Sequence, residues 1–314
     1  MLKLGLFFND YESAGSGISK NAPKKKGFRL FLDILGRKFW QLAGLNLLYF
    51  LFFTPLLLTL TAIRYIPNNN AAIAVIILLL LTFAVTIGPA TAGMTKVIRC
   101  YLIEKHTFVT RDFFKGFREN FKKAAVIGFI DCVIALSAFA AVNVYPALAV
   151  QMNSNLMYVP LVITYSFALV VLMMNYYIYL MLVATNLSLK NLIKNSFALA
   201  FVSMKNNLVT TLMIGGILAL LLPIMRFAMP LFMTILPFYP AAFITFVICF
   251  NSYPVIQKYV INPYYESIGK INPELTNFED DDDDETGEET ICEDMGGKEK
   301  PIEKRKKGKG RRIS

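Results

Sequence analysis

The sequence predicts an all-α, polytopic membrane protein of about six transmembrane helices with short interfacial cytoplasmic helices. Three observations carry this. Of 314 residues, 55% are hydrophobic and the mean hydropathy is +0.50, more than a soluble domain of this length needs for its core. The apolar residues fall in long continuous blocks rather than in alternation. The basic residues collect in alternate connections between those blocks.

The N-terminal segment, residues 1–39, opens on a very short apolar run followed by Asn9, Asp10, Tyr11 and Glu12. That run lacks the longer apolar core of a signal peptide, so the first transmembrane helix is expected to carry targeting. GFRLFLDILGRKFW, residues 27–40, places Leu30, Phe31, Ile34 and Leu35 at helical spacing. It reads as an amphipathic helix on the inner leaflet leading into the first span.

Six apolar blocks follow, at about residues 40–63, 71–94, 124–145, 157–184, 208–225 and 231–250. Each has roughly 18 or more residues, enough for a ~30 Å hydrocarbon layer. Only helices satisfy every backbone group over such lengths, and the alternation of a barrel strand is missing. The last two blocks are separated only by residues 226–230, RFAMP, so they read either as two helices or as one bent element with a re-entrant piece.

Orientation follows from the cations. Of 32 Lys and Arg, only Arg64 and Arg226 fall in the second set of connections. The rest lie in the N-terminal segment, in residues 95–123 and 185–207, and after the last block. Both termini are therefore expected in the cytoplasm, which requires an even number of spans. Residues 252–272 form a cytoplasmic post-membrane segment. Residues 273–314, with an acidic run at 279–285 and a basic run at 304–312, read as a disordered tail. The net charge of +10 is thus accounted for by loops beside anionic lipid, and no nucleic-acid partner is expected.

Chemistry-bearing residues are few. His106 is the only histidine, and Cys100, Cys132, Cys249 and Cys292 form no CxxC pair. No catalytic residues, no metal site and no cofactor are expected, and the chain reads as non-enzymatic. The segment 14–19, AGSGIS, lacks the P-loop pattern.

Three places stand out. Asp131 is the only acidic or basic residue well inside a predicted span, where a carboxylate costs about 3 kcal/mol on insertion scales. It needs a partner or a proton, and Ala124, Gly128, Ala135 and Ala138 on its helical face turn it toward other helices. Asn175, Thr210 and Thr211 are candidate partners. It reads either as a packing hydrogen bond or, with Asn175, as an intramembrane polar site. Gly88 and Pro89, opening GPATAG at 88–93, mark a kink or the end of regular helix, with small residues that admit a neighbour. In TRDFFKGFRENFKK, residues 110–123, Thr110 is a candidate N-cap and Asp112 lies in the first turn. Its face of Phe113, Phe114, Phe117 and Phe121, beside Lys115, Arg118 and Lys122, reads as an anchor at the headgroups. The sharper reading is a docking surface for a partner, made chiefly by Phe113, Phe117, Arg118 and Phe121.

The elements GPATAGMTKVIRCYL (88–102) and RDFFKGFRENFKKA (111–124) resemble the YesL-like family of bacterial integral membrane proteins. APKKKGFRLF (22–31), RKFWQLAGLNLLYFLF (37–52) and VIQKYVINPYYE (255–266) resemble it too, in the same order. The chain departs from many relatives in the longer stretch at 64–86. The family has no established activity. The resemblance implies a bacterial plasma membrane and an accessory or regulatory role beside a carbohydrate uptake system, with a sugar transporter complex as partner. The alternative is a transporter or channel in its own right, with Asp131 in a polar pathway.

Overall fold

The computed structural model describes residues 27–66, 69–270 and 272. Among them all regular structure is helical. The chain divides into two compact units, one ending at Phe39 and one beginning at Trp40. The expected tail at 273–314 lies outside the described residues, as does most of the N-terminal segment.

In the first unit Gly27, at φ +59°, turns the chain into α1, Phe28–Phe50. That backbone region favours glycine, and the Gly27 carbonyl accepts from the Phe31 N–H at 3.1 Å. Phe31 and Ile34 are buried, and Arg37 pairs with Asp33 at 3.2 Å one turn earlier. The expected surface helix ending near residue 40 is not separate from the first span. Nothing in GRKFWQLAG lacks an N–H donor, and its two glycines cost only ~1 kcal/mol of propensity each, so α1 runs on unbroken. The interruption comes later, at a 3-10 turn, Leu51–Phe53, where Pro55 opens α2, Thr54–Tyr65.

The second unit continues with α3, Asn69–Leu102, which passes through Pro89 without ending. Of the two expectations for Gly88 and Pro89, a kink or the end of regular helix, the second does not hold: the helix continues to Leu102. Then come α4, Val109–Glu119, and α5, Phe121–Gln151, joined at Asn120. After α6, Tyr158–Ala184, the pattern recurs with a short α7, Leu189–Val202, meeting α8, Met204–Phe227, at Ser203. The chain then forms α9, Met229–Ile235, α10, Pro240–Ile256, a π turn at Gln257–Ile261, and α11, Asn262–Ser267.

The sixth predicted span is also corrected. Residues 231–250 are not one helix, because Pro237 and Pro240 each remove a donor from the i→i−4 ladder. The segment breaks between α9 and α10, and the membrane-competent stretch is Pro240–Ser267. Residues 208–250 thus hold a long α8 and a separate α10 with the short α9 between them. The start of α4 differs as well. Phe108 is the N-cap, and Asp112 Oδ2 accepts from the Phe108 N–H at 2.9 Å, leaving Thr110 within the first turn.

Among the described residues six helical stretches are long and apolar enough to cross a membrane. Their apolar side chains face outward, with Phe139 70% and Leu220 72% exposed. Surfaces of that kind require lipid around them. Packing is concentrated elsewhere. Every residue from 92 to 101 is buried, because α2, α4, α5, α6 and α10 all pack on α3. Glycine makes that crowding attainable. A methyl built on Gly128 would stand 2.6 Å from Gly88 Cα, and one on Gly93 would stand 2.6 Å from the Phe113 carbonyl oxygen. Gly88, immediately before Pro89, therefore lies in a backbone-to-backbone helix contact.

Candidate functional site

Asp131 lies three residues beyond Gly128, and so emerges from α5 beside the contact that binds α5 to α3. On α6, Asn175 and Tyr179 are four residues apart and share a face. Asn175 Nδ2 donates to Asp131 Oδ1 at 2.7 Å, and the Tyr179 hydroxyl donates to Oδ2 at 2.9 Å. Both carboxylate oxygens are thus held by neutral donors. Of the partners considered from sequence, Asn175 is brought to Asp131 while Thr210 and Thr211 are not. Thr210 accepts from Asn251 at 3.2 Å and Thr211 meets Tyr176 at 3.0 Å.

Asp131 faces a cavity of about 330 Å³, whose walls come from α1, α3, α5, α6 and α10. Tyr49, Thr91, Asn175, Tyr176 and Tyr179 supply polar atoms, while Phe83, Leu172 and Ile248 supply apolar ones. Tyr49 and Thr91 hydroxyls lie 3.1 Å apart. Tyr176, Tyr177 and Tyr179 are buried, and Asn175 is half-buried beside them.

The α4 face is divided. Phe113 is fully buried, its ring 5.9 Å from that of Phe52. Phe117 is half-buried, 5.0 Å from Phe52 and 5.6 Å from Phe121. Phe113 and Phe117 thus serve the chain's own packing, whereas Arg118, Phe121 and Phe114 are exposed. A methyl on Gly116 would lie 3.1 Å from Gly93 Cα, so α4 is pressed onto α3 and is no loosely attached anchor. The buried Lys96 ammonium on α3 pairs with Glu119 on α4 and closes the same contact.

Three polar anchors escaped the sequence reading. Asn46, buried in α1, donates to the Leu236 carbonyl at 3.1 Å and accepts from the Ala242 N–H at 2.8 Å, capping α10. Arg99, fully buried, donates from Nε to the Tyr253 hydroxyl at 3.2 Å and lies 5.5 Å from that ring's centre. Asn207 accepts from Tyr177 and donates to the Ala200 carbonyl at 2.8 Å, tying α8 to α6 and α7. A lone polar residue in an apolar run was the available signal for Asn46. Arg99 and Asn207 had counted only as connection residues.

The helices and their lipid-facing exteriors define an all-α, multi-pass membrane protein, and bilayer association follows from its spans. A family model described as a protein of unknown function, DUF624, matches residues 42–143. The matched stretch contains the GPATAG element, α4 and Asp131. It excludes Asn175, Tyr179 and the 255–266 element. No curated protein and no solved structure matches.

Proposed function

We propose that this chain is a non-enzymatic accessory or regulatory protein of the bacterial plasma membrane, acting beside a carbohydrate uptake system. Its termini and α4 face the cytoplasm, and its partner is a sugar transporter complex. The observation that carries the reading is the rigid seat of α4. Glycine contacts and the Lys96–Glu119 pair hold the helix on α3 while Phe114, Arg118 and Phe121 remain outward. An ordered aromatic and basic surface costs a partner little conformational entropy. Basic residues in alternate connections support the orientation, and the YesL-like elements support the carbohydrate setting. The lone histidine and scattered cysteines support the non-enzymatic reading. Affinity purification from native membranes in mild detergent should recover transporter subunits. A Phe114→Ala/Arg118→Ala/Phe121→Ala variant should lose them, and recovery of the chain alone would sink the proposal.

A second reading rests on the cavity beside Asp131: a transporter or channel in its own right. Purified protein in liposomes should then move a solute, and Asp131→Asn should abolish the flux. Flux no greater than that of empty vesicles, across a broad solute panel, removes it.

A further inference from the structure

Apart from the second N–H of Asn175 and the weak thiol donors of Cys132 and Cys249, the polar groups of the Asp131 cavity share a directional bias. A hydroxyl has one proton to donate and lone pairs with which to accept. Thr91 Oγ1 donates to the Ile87 carbonyl at 2.9 Å, so in its contact with Tyr49 the phenol is the donor. By the same reasoning Tyr176 donates to Thr211, whose own proton goes to the Asn207 carbonyl at 2.8 Å. Tyr179 donates to Asp131. Thr95 and Thr245 also spend their protons on backbone carbonyls, each at 2.8 Å. The hydroxyl capacity left over in the cavity is therefore acceptor capacity. Each oxygen of Asp131 receives one donor here and keeps a lone pair as well. No Lys, Arg or His is among the lining residues.

A half-open, largely apolar cavity whose hydroxyls and carboxylate offer mainly acceptors, with aromatic walls, selects a ligand that donates, carries positive charge and tolerates ring faces. A sugar or polyol matches less well, since each of its hydroxyls also wants a donor. A volume of about 330 Å³ lies near the lower end of the ~300–1,000 Å³ range of small-molecule pockets. We infer that the cavity lined by Asp131, Asn175, Tyr179, Tyr49 and Tyr176 is a binding site for a small organic ammonium ion, with Asp131 as its counter-ion. The inference shares with the second reading above the premise that this cavity takes a ligand, and it does not require transport.

Calorimetric titration of the full-length protein in nanodiscs with benzylammonium, its neutral isostere benzyl alcohol, and methyl glucoside tests it. Wild type should bind benzylammonium at least about tenfold more tightly than benzyl alcohol, with Asp131→Asn erasing that preference. Ala135→Leu, which fills the cavity and keeps the carboxylate, should weaken both ligands together and stands as the test should Asp131→Asn fail to fold. Equal affinity for the two isosteres, tighter binding of methyl glucoside, unchanged selectivity in Asp131→Asn, or no saturable benzylammonium binding in the millimolar range would each overturn it. Saturable, Asp131-dependent binding without flux in liposomes would support the site while removing transport.

Discussion

Gly88→Ala is the most direct test of the packing that positions Asp131. A methyl at this position would overlap the Ala124 carbonyl oxygen and stand 2.8 Å from the Ala124 carbonyl carbon and 3.0 Å from Gly128 Cα. Carbon atoms rest at about 3.5–4.0 Å, so α3 and α5 must part by roughly 1 Å or shift in register. The obstacle is backbone on both sides, and no rotamer change relieves it. Overpacking of this kind costs about 1–3 kcal/mol, occasionally more. Alanine returns about 0.5–1 kcal/mol of helix propensity, and because the clash is with backbone the upper end of the overpacking range applies, leaving a net loss of about 2 kcal/mol. With roughly 2–4 °C per kcal/mol for chains of 150–250 residues, and less for a longer one, thermal unfolding in detergent should fall by a few degrees. Gly215→Ala in α8, where a methyl would meet nothing within 4 Å, is the control and should be neutral or slightly stabilising. Gly88→Ala and Gly128→Ala report on the same gap, so their combined cost should be less than additive. Equal unfolding temperatures for Gly88→Ala and Gly215→Ala would refute the close helix contact.

Asn46→Ala removes the cap of α10 and the bond to Leu236 together, and should cost about 1–3 kcal/mol in the same thermal assay. Glu119→Gln leaves the buried Lys96 ammonium without its carboxylate. Because the Glu119 side chain is 34% exposed, the expected loss is discounted to about 1–2 kcal/mol. Lys96→Met/Glu119→Gln should be more stable than Glu119→Gln alone, and the reverse order would deny the pair any role. Finally, single cysteines replacing Arg64 and Lys115 should react with a membrane-impermeant maleimide from opposite faces of the bilayer. Labelling from one face would overturn the proposed orientation.

Hydropathy located four of the six spans closely, yet misread the first and the sixth. Residues 231–250 average out as apolar, and an average does not register that Pro237 and Pro240 cut the hydrogen-bond ladder. The first span was misread in the opposite sense, since a change from amphipathic to apolar composition at residue 40 carries no break in helix backbone. At the candidate site, Asp131 and Asn175 were legible because an ionisable group and an amide are conspicuous in lipid-facing runs. Tyr179 carries no comparable signal, because tyrosines near the ends of spans are commonly interfacial anchors. Phe113 misled, because an apolar helix face is written the same way whether it meets lipid, a partner or the chain's own α3.

Sequence by itself determined that this protein is helical, that it crosses a bilayer several times, and where a costly carboxylate falls. Those properties follow from each residue's own transfer free energy and its neighbours along the chain. Tertiary structure alone decided that Gly88 meets Gly128, that Asn46 caps a helix almost two hundred residues away, and that the phenols beside Asp131 spend their protons on protein acceptors. Such facts are pairwise. They depend on which helix faces meet and at what register, and contacts between distant segments leave no periodicity in a single chain to be read.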